Sequence, residues 1–434
     1  MAKTYRPYCP DQIFLLPPSL RDWLPENHLV YFVSDVVDQL DLSKIESVYE
    51  KDDRGQPPYH PRMMTKILVY AYCIGVFSSR KIQNRLIEDV AFRVLAAGNQ
   101  PDFRTISDFR KIHLAAIQGL FEQVLKLALT AGAIKLGRVA LDGSKIKANA
   151  SKHKAMSYKR MKEDQPNLRA EVRKLLEQAA AADDEEDARY GKGKTGDELP
   201  EELSRRETRL KKIREAKRAL EERTREEAER DGKTKEDAEQ AKPDDKAQYN
   251  FTDPESRIMK GADGFVQAYN AQAVVEEVSQ LIVAQAVTQE ANDKQQIIPM
   301  VAAVEHQSGQ MPKELLADSG YCSERNLEHL EQKPVDVYIA TGRQKHGHKS
   351  ERCKRGPLPH GATRVDKMRR KLQTKAGAAV YAARKSIVEP VFGQIKRARG
   401  FRQFILRGIE KVRGEWALVC ATHNILKMYK LCYG

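Results

Sequence analysis

The run GRVALDGSKIKA, Gly137–Ala148, decides how the rest of the chain is interpreted. Its residues have strong strand propensity and follow a helical pattern over residues 1–130, so the run predicts the first strand of an α/β region. Asp142 stands at its centre, a position that strand propensity disfavours. Two explanations are open. Asp142 and Gly143 form a hairpin turn, or the carboxylate has a task of its own within the strand.

Downstream of this run, strand and helix patterns alternate. GFVQAYNAQAVVEEVSQLIVAQAVTQE, residues 264–290, predicts two strands around a turn at Glu277–Gln280. This order predicts an α/β fold with a mixed sheet, rather than an all-helical or all-β protein. The elements that follow are a helix over 293–307, a short buried strand ending at Asp318, a helix opened by Ser323 and a strand over 335–340.

Two further regions flank and interrupt the α/β pattern. Residues 1–130 show apolar spacing near the helical period, which predicts a helical N-terminal domain. Its short helices suit either a plain bundle or a domain that presents a recognition helix, and DNA-end binding or dimerisation is its expected role. Residues 158–245 are highly charged and poor in aromatic residues, which predicts a helical hairpin or short coiled coil. The α/β core then spans residues 137–157 and 246–434.

The charge of the chain is unevenly distributed. The formal net charge is +14, and residues 341–434 hold 23 Lys and Arg against 5 Asp and Glu, so this segment supplies more than the whole excess. Nucleic acid is a better candidate partner than an anionic membrane, because no apolar run reaches the roughly 18 residues that span a bilayer. The scattered cysteines and an N-terminus without a signal-peptide pattern favour a reduced, cytoplasmic protein with no membrane association.

The most basic stretch contains a single acid. RKSIVEPVFGQIKRARGFR, Arg384–Arg402, has six positive charges and one carboxylate, Glu389. Glu389 either pairs with a neighbouring base or has another task. Its helix is expected to start or kink at Pro390, because a residue that precedes proline avoids the α region.

Asp142, Glu389 and the strand-ending Asp318 form a candidate metal site. Each has an ordinary structural explanation, such as a strand-ending turn at Asp318. Together, two acids at strand level and one on a later helix can converge on two Mg²⁺ ions, with Mn²⁺ as a substitute, because hard cations prefer carboxylate oxygens. Two such ions roughly 3.5–4 Å apart activate a nucleophile and stabilise the leaving oxygen of a phosphodiester.

Several blocks of the sequence resemble the signatures of bacterial insertion-sequence transposases of the DDE class. The blocks are ALDGSKIKANAS, GFVQAYNAQAVV, LLADSGYCSERN and YAARKSIVEPVFGQIKRARGFRQF. The helical stretch that starts at YHPRMMTKILVY resembles the N-terminal domain of the same family. The resemblance implies an RNase H-like catalytic core with the hairpin inserted between its first and second catalytic acids. It also implies that Asp142, Asp318 and Glu389 are the catalytic triad and bind the metal.

The last of these blocks also implies contacts with DNA. In the family it often reads Tyr, two residues, Arg, three residues, Glu, six residues, Lys. The matching residues are Tyr381, Arg384, Glu389 and Lys396, but four residues separate Arg384 from Glu389 here. Lys396 follows Glu389 by two helical turns on the same face. The expected DNA-binding residues are Lys396, Arg384, Tyr381, Arg397, Arg399 and Arg402.

The function that this resemblance implies is DNA transposition. A transposase of this class binds the terminal inverted repeats of its element, cleaves DNA there with Mg²⁺ and joins the freed 3′-hydroxyls to target DNA. The expected partner is double-stranded DNA, and a homodimer is expected because two element ends must be held together. Two alternatives stay open. One is a DNA-binding protein derived from such an enzyme but no longer catalytic, and the other is a structure-specific nuclease on the same fold.

Overall fold

The computed structural model describes residues 19–50, 57–190, 201–230, 233–261, 264–342, 356 and 359–434. Within these ranges the chain begins with helices that pack on one another and on the later sheet, which confirms the predicted helical N-terminal region. A 3₁₀ helix, Leu20–Trp23, comes first. The helices are Leu29–Asp38 (α1), Ser43–Glu46 (α2), Pro61–Cys73 (α3), Ser79–Glu88 (α4), Val90–Ala96 (α5), Phe103–Ile112 (α6) and Leu114–Thr130 (α7).

Local sequence sets where α3 and α6 begin. Pro61 occupies the first turn of α3, where its missing N–H removes no helical hydrogen bond. Asp102 caps α6, because its side chain accepts a hydrogen bond from the N–H of Thr105 at 2.7 Å. No single helix in the described ranges is long and apolar enough to cross a membrane. The pair α6 and α7 passes that test only jointly, and it is bent by 73°.

The strands form two sheets. Their bounds are Arg138–Lys147 (β1), Ala155–Ser157 (β2), Gln248–Asn250 (β3), Arg257–Gly261 (β4), Gly264–Glu276 (β5), Ile282–Thr288 (β6), Glu314–Ala317 (β7) and Asp336–Ile339 (β8). β2 pairs with β3, and the others form one sheet in the order β4–β5–β1–β7–β8, with β6 also paired to β5. β1 runs antiparallel to β5 and parallel to β7, and β7 is parallel to β8. The predicted mixed α/β sheet is therefore confirmed.

Two turn predictions have opposite outcomes. A hairpin at Asp142 and Gly143 is wrong, because β1 continues through both residues, which pair with Ala273 and Gln272 of β5. The turn between β5 and β6 is confirmed. It is held by the buried carboxylate of Glu276, which accepts hydrogen bonds from the backbone N–H groups of Val278 and Ser279 at 3.0 and 2.7 Å.

The charged segment between β2 and β3 forms two long helices. They are Tyr158–Tyr190 (α8) and Glu201–Arg230 (α9), followed by the short Lys235–Glu239 (α10). Their facing apolar side chains form a cluster separate from the main core, and its members include Met161, Leu168, Leu210, Ile213 and Leu220. The predicted hairpin is thus present, although the joint between α8 and α9, residues 191–200, lies outside the described residues. Ser157 pairs with Gln248 at its base, which brings the two ends of the segment together.

The remaining helices cover the sheet and join it to the N-terminal helices. They are Ile297–Ser308 (α11), Glu324–Leu330 (α12), Arg364–Gln373 (α13), Lys375–Gly393 (α14) and Ile409–Tyr433 (α15). One continuous hydrophobic cluster includes Tyr72 of α3, Phe121 of α7, Leu141 of β1 and Trp416 of α15. The last helix therefore packs within a core that both the N-terminal helices and the sheet share.

Pro390 lies inside α14, so the predicted helix start at Pro390 is wrong. The helix begins at Lys375, after the cap residue Thr374, and runs through Pro390 to Gly393. A proline in mid-helix leaves the carbonyl four residues earlier without its donor. That carbonyl belongs to Ser386, and it accepts a hydrogen bond from Nε2 of Gln280 at 3.1 Å instead. A π-helical turn, Gln394–Ala398, continues directly from α14.

Candidate active site

The register of two parallel strands brings Asp142 and Asp318 side by side. Leu141 of β1 pairs with Ala317 of β7, and the two aspartates are the next residues along. Neighbouring strands lie about 4.8 Å apart. β7 ends at this point, and the Asp318 side chain caps a 3₁₀ helix, Ser319–Tyr321, by accepting a hydrogen bond from the N–H of Gly320 at 2.8 Å. The turn proposed for Asp318 is therefore present, and it fixes the carboxylate beside β1.

Asp142 is a partly desolvated carboxylate with a charged neighbour on each side. Its Oδ1 accepts a hydrogen bond from the N–H of Gly143 at 2.8 Å, and its Oδ2 accepts one from Nη1 of Arg384 at 3.1 Å. Burial raises the pKa of Asp142 from 3.8 to about 6, and the negative charge of Asp318 adds to this rise, while Arg384 opposes it. The raised pKa means that the pair of aspartates favours an added positive charge.

Helix α14 brings Arg384 and Glu389 close to Asp142, but Glu389 does not join the two aspartates in one cluster of carboxylates. Arg384 is buried and lies between the two acids, with Nη1 at 3.1 Å from Oδ2 of Asp142 and Nη2 at 3.9 Å from Oε1 of Glu389. Five residues of α-helix correspond to a net rotation of about 140°. Glu389 therefore points away from the face that carries Arg384, and its side chain is 56 % exposed.

The three predicted catalytic acids are suitable ligands for a divalent cation, but only two of them lie next to each other. Asp142 and Asp318 offer adjacent carboxylate oxygens, the donors that Mg²⁺ and Mn²⁺ prefer, in a setting that disfavours two negative charges. Glu389 is separated from them by Arg384. In the part of the chain that the structure describes, no three His, Cys, Asp or Glu side chains form a group close enough to hold a metal ion.

Tyr381 and Lys396 lie on either side of these acids. Burial raises the pKa of Tyr381, the charges of Asp318 and Asp142 add to the rise, and the neighbouring Arg384 opposes it. The ammonium of Lys396, in the π-helical turn, donates hydrogen bonds to Oγ of Ser144 and to the carbonyl of the next residue of β1. Burial lowers the pKa of Lys396, whereas the charge of Asp142 opposes that change. Both predicted residues are thus near Asp142.

The other three predicted DNA-binding arginines have different environments. Arg397 and Arg402 are exposed, and Nε of Arg402 donates to the carbonyl of Lys396 at 3.2 Å. The prediction that Arg399 binds DNA is wrong. Its guanidinium lies in the core, where it donates to Oγ1 of Thr422 at 2.8 Å and to the carbonyl of Val419 at 3.1 Å, and burial lowers its pKa to about 10. A side chain held in this way is not available to DNA.

Sequence reasoning missed a polar cluster behind the two aspartates. Asn270 and Gln272 of β5 are fully buried, and both amides donate to Oδ1 of Asp293, at 2.6 and 2.8 Å. Lys145 of β1 also reaches this oxygen, at 3.2 Å. The hydroxyl of Tyr321 donates to Oε1 of Gln272. The available signal was two amides at alternate positions of an apolar strand, which places both on one face of the sheet.

Comparisons with known protein families decide the class of this chain. A family model described as Transposase domain (DUF772) matches residues 18–112, and one described as Transposase DDE domain matches residues 343–429. These two matches support an insertion-sequence transposase of the DDE type. No curated protein and no solved structure matches it.

The two matches correspond to distinct parts of this transposase. The first includes α1 to α6, and the second includes α13 and α14 with Tyr381, Arg384, Glu389 and Lys396. Between them lie β1, which carries Asp142, and β7, which Asp318 directly follows. The matches support a DNA transposase, and the mixed sheet with its helices is consistent with an α/β RNase H-like core. DDE transposases as a class use divalent metal ions.

Proposed function

We propose that this transposase binds the terminal inverted repeats of its own element, cleaves DNA at those ends with Mg²⁺, and joins the freed 3′-hydroxyls to target DNA. The observation that carries the proposal is the parallel register of β1 and β7, which sets Asp142 beside Asp318. Tyr381, Arg384, Glu389 and Lys396, from the segment that matches the transposase DDE domain, surround this pair.

In this proposal Asp142 and Asp318 hold the divalent cations, Mg²⁺ or its substitute Mn²⁺, and Glu389 completes the set. When bound, two such ions would supply Lewis-acid stabilisation at the phosphate and a hydroxide nucleophile at neutral pH. In the absence of the cations, Arg384 would hold Asp142 and Glu389 near each other, because it neutralises part of their charge. The contact between Arg384 and Glu389 is long and Glu389 is exposed, so little stabilisation opposes the movement of Glu389 towards the aspartates.

The bases around the acids would bind the DNA backbone. Lys396 contacts Ser144, which lies two residues after Asp142 on β1. A phosphate beside the aspartates would therefore be within reach of Lys396. Arg397 and Arg402 are exposed and extend the positive surface along the chain. Tyr381 would contact the DNA next to the reacting phosphate, since it is near Asp142. Arg384 is buried and paired with Asp142, so it would act on the aspartates rather than on the DNA.

The other regions would organise the complex. The helices α1 to α7 would recognise the element ends or mediate dimerisation. A homodimer bound to two ends would allow both ends to be joined to one target. The charged hairpin of α8 and α9 projects from the core between the two catalytic aspartates in sequence, and its separate apolar cluster supports treating it as a unit of its own.

Replacing Asp318 tests the catalytic assignment. We expect Asp318→Ala to bind DNA carrying the element ends nearly as well as the wild-type protein, while Mg²⁺-dependent cleavage falls below detection. Asp336→Ala is a matched control, because Asp336 is a carboxylate on the neighbouring strand β8 that is paired with Lys371 at the surface. Unchanged cleavage by Asp318→Ala would contradict the assignment. Joined products in the wild-type reaction distinguish a transposase from a nuclease, and their absence would favour the nuclease.

A further inference from the structure

Asp293 makes more contacts near the two aspartates than a loop residue requires. It precedes α11, and its side chain is 21 % exposed. Its Oδ1 accepts three hydrogen bonds, from Nδ2 of Asn270, Nε2 of Gln272 and Nζ of Lys145. Three donors on a single oxygen saturate that atom and fix the orientation of the carboxylate.

The donors connect Asp293 to both elements that carry the predicted catalytic aspartates. Lys145 is on β1, three residues after Asp142. Gln272 accepts the hydroxyl of Tyr321, and Tyr321 ends the 3₁₀ helix that Asp318 caps. A chain of hydrogen bonds therefore runs from β1 through Asp293 to the turn of Asp318.

Two glycines allow this close approach. A Cβ atom on Gly143, next to Asp142, would lie 2.3 Å from Nε2 of Gln272 and 2.8 Å from Oδ1 of Asp293. A Cβ atom on Gly320, two residues after Asp318, would lie 2.9 Å from Oδ1 of Asp318 and 3.6 Å from Asp293. The space between the two aspartates and Asp293 is thus filled by polar groups in contact, so a shift of one moves the others.

The charges of Asp293 and of the two aspartates act on the same side chain. The pKa of the Tyr321 hydroxyl is raised well above its usual value by burial and then by the charges of Asp293, Asp142 and Asp318, so all three carboxylates lie near this hydroxyl. Lys145 and the two amides compensate the charge of Asp293 through their hydrogen bonds.

We propose that Asp293 is a positioning residue, which holds Asp142 and Asp318 at the separation that a divalent cation requires. The inference rests on the proposed function, because it assumes that these two aspartates bind the cation. Asp293 acts through Lys145 on one side and through Gln272 and Tyr321 on the other. Residues that orient metal ligands in this way typically change metal affinity by about 10–100-fold when they are lost.

The test is a calorimetric titration of Mn²⁺ alone into the full chain. Asp293→Ala should weaken Mn²⁺ binding by about 10–100-fold. Asp293→Asn, which keeps an acceptor for the two amides, should weaken it less. Asp142→Asn is the positive control and should abolish binding. Glu276→Ala is the matched control, because Glu276 is a buried carboxylate at the other end of β5 that holds a turn through hydrogen bonds, and it should leave Mn²⁺ binding unchanged.

The outcomes separate the two levels of the proposal. Wild-type protein that binds no Mn²⁺, or binds it independently of Asp142, would overturn the proposed function. Wild-type binding with unchanged affinity in Asp293→Ala would overturn the role of Asp293 alone. Loss in Asp293→Asn as complete as in Asp142→Asn would make Asp293 a ligand rather than a positioning residue. Tyr321→Phe should weaken binding in the same direction, and its effect should not add to that of Asp293→Ala, whereas additive effects would exclude the hydrogen-bonded chain.

Discussion

Asp142 shows at the scale of a single residue how the candidate site opposes stability. Burial raises its pKa to about 6, so at neutral pH the folded protein carries a charge that its surroundings disfavour. The neighbouring Asp318 adds to this effect, and Arg384 removes only part of it. Sites that must bind a cation commonly hold such unfavourable charge in advance.

The raised pKa of Asp142 determines how the stability of the protein changes with pH. The folded protein binds the proton of Asp142 more tightly than the unfolded chain does. Its contribution to stability is therefore fully present below the unfolded pKa of 3.8 and is lost as the pH rises through about 6. Without divalent cations, we expect Asp142→Asn to unfold with a free energy roughly 1–3 kcal/mol higher than the wild-type protein at neutral pH.

Urea titrations of both proteins measure this difference. The gain from Asp142→Asn should shrink towards zero below about pH 3, where Asp142 is protonated in both states, and added Mg²⁺ should stabilise only the wild-type protein. A difference that does not change with pH would show that Asp142 titrates normally. Comparing the variant with the wild type cancels the titration of the other carboxylates.

Sequence could supply some residues of the site and not others. Asp142 and Asp318 were found because each interrupts or ends a strand pattern, and pattern is local. Asp293 was not found, because it follows no pattern and gains its role only through contacts with β1 and β5. Arg399 was misassigned because a run of bases suggests exposure. Its burial depends on acceptors on α15 that no local signal identifies.

At the scale of elements, the α8–α9 hairpin is joined to the core by a narrow base. Ser157 of β2 pairs with Gln248 of β3, and the apolar cluster of the hairpin is separate from the main core. Charge patterning predicted these helices correctly, because narrow apolar stripes in a charged segment suit a two-helix pair. A different argument, that a residue before proline avoids the α region, predicted a helix start or kink at Pro390. The helix does not start there, because the side chain of Gln280 satisfies the freed carbonyl from outside the helix.

Excising the hairpin tests its independence. We expect a chain in which Asn-Gly replaces residues 158–247 to fold, with a melting temperature within about 5 °C of the full-length protein, because β2 and β3 would be joined by a two-residue turn that suits antiparallel strands. Circular dichroism and calorimetry would measure this. Replacing the same residues by a flexible linker of equal length is the control. A chain without cooperative unfolding would show that the hairpin stabilises the core.

At the scale of the whole molecule, a buried polar network ties the two ends of the chain together. Glu415 of α15 is fully buried and accepts hydrogen bonds from the hydroxyl of Tyr72 at 3.2 Å and from the N–H groups of Ile405 and Leu406. Arg110 of α6 donates to the same hydroxyl at 3.1 Å. The network therefore joins α3 and α6 to the last helix.

Breaking this network should destabilise the entire protein. We expect Glu415→Ala to lower the free energy of unfolding by about 3–5 kcal/mol, because it leaves two buried N–H groups and the Tyr72 hydroxyl without their acceptor and removes the negative charge near the Arg110 guanidinium. Glu410→Ala, at an exposed position of the same helix, should change it by less than about 1 kcal/mol. Urea denaturation followed by fluorescence measures both. A loss below 1 kcal/mol for Glu415→Ala would show that the ends are held by apolar packing alone.

Composition and pattern predicted the regions of this molecule but not how they pack. The helical N-terminal region, the mixed sheet and the hairpin all follow from periodicity. That α15 shares one core with α3 and α7 does not, because packing between residues so far apart in the sequence has no local signature.

The placement of α15 has a consequence for the element that encodes the chain. The N-terminal helices cannot close their core until Ile409–Tyr433 has been synthesised, because this helix shares that core with them. We therefore expect a gene copy interrupted before Ile409 to yield no stably folded fragment. Damaged copies would be silent rather than inhibitory, and an intact copy would not have to compete with their products.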